Sequence, residues 1–126
     1  MSDDRGEEVA LMVIRAGDVE VAVEATRVHE VVPLEQWNGE AALDLQEQTG
    51  AGVTQGPARI LVVTRPGRPP LAAIVSAAVT LRHVARAQLL SLPPLLRAHV
   101  RWASHVAIAA GRPPLLLVDP GELGPG

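Results

Sequence analysis

Two stretches of this chain, LMVIRAGDVEVA from Leu11 and LVVTRPGRPPLA from Leu61, follow one pattern. Leu11 and Leu61, Val13 and Val63, Arg15 and Arg65, Gly17 and Gly67, and Ala22 and Ala72 fall at matching offsets. Each copy reads as a strand, an Arg-x-Gly turn and a second strand. The glycine has a physical reason, because such a turn calls for a positive φ that a Cβ penalises. An internal repeat of this kind restricts the fold to two related β units. The competing reading is chance alignment of short apolar strands.

The segments around the repeat extend the pattern. Val9 to Val32 reads as one hairpin about the turn Ala16-Gly17-Asp18. After that turn Val19, Val21 and Val23 alternate with Glu20, Ala22 and Glu24, as in a strand with one dry and one wet face. The second copy runs on as AAIVSAAVTLRHV, which reads as a nearly unbroken strand buried on both faces. NGEAALDL and AGRPPLLLVDP then close the two halves alike, each with a Gly turn, an apolar strand and an Asp. Between the halves QEQTGAGVTQGP is a Gly-rich connector, opened by one helical turn that Asp44 is placed to cap. Pro93-Pro94 prevents ARAQLLSLPPLLRAHVRWAS from forming one long helix. The residues thus point to an all-β chain, two linked small barrels or one sandwich, rather than to an α/β fold.

Composition limits the function classes. A chain of 126 residues fits one domain, and 48% apolar content is too high for disorder. Trp37 and Trp102 are the only aromatics, so the core must come from Val, Leu, Ala and Ile. All eleven basic residues are Arg, scattered along a chain of net charge -3, without the basic stripe and interleaved aromatics that nucleic acid favours. No Cys is present, which removes disulfides, thiolate nucleophiles and Cys-based metal sites. MSDDRGEEVA is the reverse of a secretory signal, and residues 1–8 read as a disordered tail. The apolar run PPLAAIVSAAVTL is well short of the roughly 20 residues that span a bilayer, so no membrane insertion is expected. The expected location is cytoplasmic.

Catalytic motifs are not found. Gly50, Gly52 and Gly56 suggest a dinucleotide loop, but the spacing is wrong and Pro57 and a strand follow where a helix should begin. A flexible linker is the simpler reading. His29, His83, His99 and His105 have no metal-ligand spacing, and Asp44 and Asp119 read as turn caps rather than paired carboxylates. Neither an enzyme nor a cofactor is expected. A small β-barrel enzyme or ligand-binding domain using the Gly50–Gly56 loop is the alternative of a different class.

In order along the chain, LMVIRAGDVEVAVEATRVHEVV, NGEAALDL, ILVVTRPGRPPLAAIVSAAVTLRHV, LPPLL and LLLVDPGEL resemble the segments of the CheW-like family. These adaptor domains couple chemoreceptors to a histidine kinase in bacterial arrays. The resemblance runs from Val9 to Leu123 and implies one domain of two linked five-stranded β-barrel lobes, roughly residues 9–50 and 58–123. It implies no active site. The implied partners are a chemoreceptor's cytoplasmic tip, held between the lobes, and the regulatory domain of a CheA-type kinase or other CheW-like proteins.

Carried over by residue, the resemblance places Val28 and Glu30 at first-lobe receptor positions and Ile74 and Val75 on the matching second-lobe strand. Core packing is the plain alternative for the three apolar residues, whereas a carboxylate between apolar strand residues points to solvent. The family's Asp after that strand is Ser76 here, and its Arg before a retained Gly39 is Asn38, which removes a five-donor fork. The connection after Val32 is also shorter than the family's by roughly fourteen residues, and losing a β-segment exposes an edge or forces re-pairing. The first lobe is therefore expected to be shortened, with kinase docking weakened or altered around Pro33, Leu34 and Trp37. A similar gap occurs in a short homologue of the myxobacterial Frizzy system. Trp37 is expected to plug the gap and to be largely buried.

Overall fold

The computed structural model describes residues 7–37 and 42–123. Both copies of the repeat are hairpins. Strands β1 (Glu8–Ala16) and β2 (Val19–Glu24) turn through Gly17, and β5 (Ala58–Arg65) and β6 (Arg68–Ser76) turn through Gly67. Both glycines have φ +68°, the left-handed region where a side chain is strained. In the second turn Arg65 and Arg68 face each other, and the Arg65 guanidinium is held below its ordinary pKa, by desolvation first and by Arg68 second.

Among the described residues ten strands form two sheets. The larger has the order β7-β1-β2-β10-β9-β8, where β7 is Val79–Ala85, β8 Leu89–Ser91, β9 Ala103–Ala107 and β10 Leu115–Val118. The smaller has the order β3-β5-β6-β4, where β3 is Val28–Pro33 and β4 only Leu43–Asp44. The two expected five-stranded barrels are therefore not found, since neither sheet closes. The six-stranded sheet curls far enough for Val9, Leu11, Val13, Ala22, Val84, Ala107, Leu115 and Leu117 to pack together on its inner face. Its edges β7 and β8, joined by the 3₁₀ turn Arg86–Gln88, remain unpaired with each other. The smaller sheet ends on a two-residue strand, too short to carry closure.

A second core lies between the sheets. Ile14, Ala16, Val21 and Val23 from the larger meet Leu61, Val63, Ala73 and Val75 from the smaller, with Trp102 packed at the side. Full burial of each such Val, Leu or Ile contributes about 1.5–3 kcal/mol. The chain crosses between sheets at two places that the apolar pattern concealed. The expected hairpin from Val9 to Val32 stops at Glu24, and the 3₁₀ turn Ala25–Arg27 carries the chain to β3 in the other sheet. Likewise AAIVSAAVTLRHV is two strands, broken at Ala77 and Ala78, where the Ala77 N–H donates to Pro57 O at 3.0 Å and that of Ala78 to Ser76 Oγ at 3.3 Å. Strand β2 also departs from simple alternation. Ala22 is fully buried on the inner face while Val19, beside the turn, is exposed.

Local expectations fare better. Asp44 caps α1 (Leu45–Gln48) by accepting from the Glu47 N–H at 3.2 Å, and it also binds the Thr54 N–H at 2.8 Å and hydroxyl at 2.7 Å. That carboxylate straps down the Gly-rich connector. Asp119 accepts from the Gly121 N–H at 3.1 Å and caps the turn Pro120–Glu122. Pro93-Pro94 separates β8 from the short helix α2 (Pro94–His99). Residues 1–6 of the expected tail lie outside the described residues, and Glu8 already begins β1.

Candidate protein-binding site

Directly opposed residues of an antiparallel pair share a face, so the register of the smaller sheet sorts its side chains. Val28 opposes Val63, which opposes Leu71; Glu30 opposes Val62 and then Ala72; Val32 opposes Ile60 and then Ile74. The pairing shifts between Val28 and Glu30, a bulge at His29. Without it Val28 and Glu30 would share a face. With it Val28 turns to the core between the sheets, and Glu30 falls with Val32, Ile74 and Ser76 on the opposite face.

The residues marked by resemblance thus divide. Val75 is only 1% exposed and belongs to the core, as does half-buried Val28. Glu30 is exposed, and Ile74 and Ser76 are half-buried on the same face two strands away, across β5. Asn38 and Gly39 lie outside the described residues. This second face is apolar apart from Glu30, Ser76 and Asp44, which pairs with Ile74, and its centre, Ile60, is fully buried.

The described part of the shortened connection begins with a turn. Pro33 ends β3 opposite Arg59, the 3₁₀ turn Leu34–Gln36 follows, and the Trp37 N–H donates to Leu34 O at 3.1 Å. Leu34 is 40% exposed and Trp37 half-buried, so Trp37 is neither the buried plug expected nor a fully exposed surface residue. It is Trp102 that packs against the core. Strand β3 remains an edge, blunted by its bulge, by exposed His29 and Glu30, and by Pro33, devices that discourage indiscriminate strand addition.

The Gly50–Gly56 loop has a structural role. Its glycines have φ between +77° and +86°, the four-residue α1 precedes it, and Ala51 packs against Gly17. Gln46 Nε2 donates to Ala51 O at 2.9 Å and fixes the loop from within. Among the described residues no three of His, Cys, Asp and Glu are grouped to hold a metal ion, and no helix is long and apolar enough to cross a membrane. Sequence reasoning missed one grouping: arginines scattered along the chain gather at the two ends of the curled sheet.

Two sheets in this order, packed through one shared core, define a CheW-like fold. One solved structure it is similar to is the scaffolding protein TtCheW from Thermoanaerobacter tengcongensis, with a TM-score of 0.70 and 17% identity over 94% of this chain and 88% of that one. No family model and no curated protein sequence matches this chain.

Proposed function

We propose that this chain is a non-enzymatic chemosensory adaptor, a single cytoplasmic domain that binds chemoreceptor tips in signalling arrays and docks the histidine kinase weakly. The observation that supports it most is a CheW-like fold across 94% of the chain, combined with a first connection that spans only residues 34–42. Glu30, Ile74 and Ser76 form the receptor face, with Val28 and Val75 supporting it from the core. The shortening at residues 33–38 removes surface on which the family docks its kinase. It also suggests a role like that of FrzB, the short homologue of the Frizzy system.

Pull-down with a cognate receptor hairpin and with the kinase regulatory domain tests this reading. Receptor capture that Glu30→Arg abolishes, alongside poor kinase capture, is the expected result. Receptor capture unaffected by Glu30→Arg and by Ile74→Asp would remove the proposed face. One observation favours a standard coupling protein instead: β3 and β4 both keep their places in the sheet despite the short connection. On that reading, grafting a full-length connection into the chain would leave kinase activation unchanged.

A further inference from the structure

At the end of the curled sheet where β2 and β10 finish and β9 begins, the inner core opens into a cavity of about 390 Å³. Its floor is apolar, made by Leu89 and Leu117, which also pack on the inner core. Three arginines from separate parts of the chain line it. Arg27 comes from the turn after β2, Arg86 from the turn between β7 and β8, and Arg97 from α2. Only the fold brings them together.

Their charges are incompletely matched. The lining carboxylates are Glu24 and Asp119, two against three guanidinium groups, with His105 counted neutral. Asp119 Oδ2 lies 3.7 Å from Arg97, while its Oδ1 is held by the Gly121 N–H. Among the described residues Arg86 pairs only with Glu7, outside the cavity, at 4.0 Å, and both side chains are about two-thirds exposed, so solvent screens that pair. Half-buried Arg27 has no carboxylate within ion-pair distance among the described residues. His105 Nδ1 is engaged with Ser104 Oγ at 2.8 Å, which leaves Nε2 for a ligand.

We propose that this cavity binds a small organic carboxylate, its oxygens on Arg27 and Arg97 and its short carbon chain on Leu89 and Leu117. A guanidinium fork matches a carboxylate's two oxygens, and a partly dry site strengthens such charge-assisted bonds. The volume is that of a small-molecule site, and the lining, mostly polar around an apolar floor of Leu89 and Leu117, suits a small charged ligand rather than an apolar one. The opposite end of the sheet has a comparable opening with Arg15, Arg82 and Arg112, but there the half-buried arginine, Arg82, already faces Glu20 at 3.9 Å, whereas Arg27 has no such partner among the described residues. The inference stands apart from the adaptor reading.

The test is calorimetric titration of the whole chain with glutarate at constant ionic strength, with inorganic phosphate as the rival anion. Saturable glutarate binding is expected, weakened about tenfold or more by Arg27→Gln and unchanged by Arg112→Gln. Should Arg27→Gln fail to fold, Arg97→Gln on the exposed helix carries the same expectation. Absence of saturable binding at millimolar glutarate would overturn the proposal. So would tighter binding of phosphate, or a loss on Arg112→Gln equal to that on Arg27→Gln.

Discussion

The hairpins β1–β2 and β5–β6 share a turn geometry, with Gly17 and Gly67 both at φ +68°, yet they are surrounded differently. Leu11 and Leu61, equivalent in the repeat, are each fully buried but lie in separate cores. Leu11 points into the curl of the larger sheet, and Leu61 into the layer between sheets. Because Ile14 and Ala16 face that same layer, the first hairpin is buried on both sides. The second buries one side and, around fully buried Ile60, leaves Val62, Ala72 and Ile74 half-buried on the other. One pattern therefore has two settings: the first copy is buried on both faces, and the second keeps half-buried apolar residues on one of them.

The largest effects should come from the equivalent leucines. Leu11→Ala and Leu61→Ala are each expected to cost about 2–5 kcal/mol in denaturant unfolding, as cavities in close-packed cores do. If either cost under about 1 kcal/mol, its core would be adjustable rather than packed. The glycines come next and should differ. Gly67→Ala meets nothing within 4 Å and should cost about 1–2 kcal/mol for its left-handed φ alone. At Gly17 the new Cβ would also lie 3.1 Å from the Ala51 Cβ, so the loss should be greater, and equal losses would contradict the packing of the connector on the first turn.

Smaller again is Asp44→Ala, which removes the cap and the strap to Thr54 for about 1–2 kcal/mol, against about 1 kcal/mol for Asp119→Ala, and the ranking is checked by the same unfolding curves. Smallest is Arg82→Ala. Its pair with Glu20 spans 3.9 Å between partly exposed side chains, and the change in thermal midpoint should correspond to about 0.5 kcal/mol or less.

What the sequence made legible was local. Gly17, Gly67, Asp44, Asp119 and Pro93-Pro94 act through neighbours a few residues away, so their roles follow from spacing and residue type. The crossings at Ala25–Arg27 and Ala77–Ala78 were hidden because Val and Ala runs read alike whether one strand or two carry them. The bulge at His29 was hidden too, although it decides that Glu30 and not Val28 lies on the face turned away from the core between the sheets. The open sheets and the gathered arginines depend on strand order, which no local pattern encodes. The resemblance supplied the family fold correctly and the barrel closure wrongly, because closure needs strands at both ends of each sheet that this chain leaves unpaired or short.

The adaptor reading is tested most directly by titrating the chain against a cognate kinase regulatory domain and a receptor hairpin, with a full-length CheW as reference. The account predicts receptor affinity close to that of the reference and kinase affinity weaker by about tenfold or more, a difference of about 1.4 kcal/mol. Kinase affinity equal to the reference would contradict it.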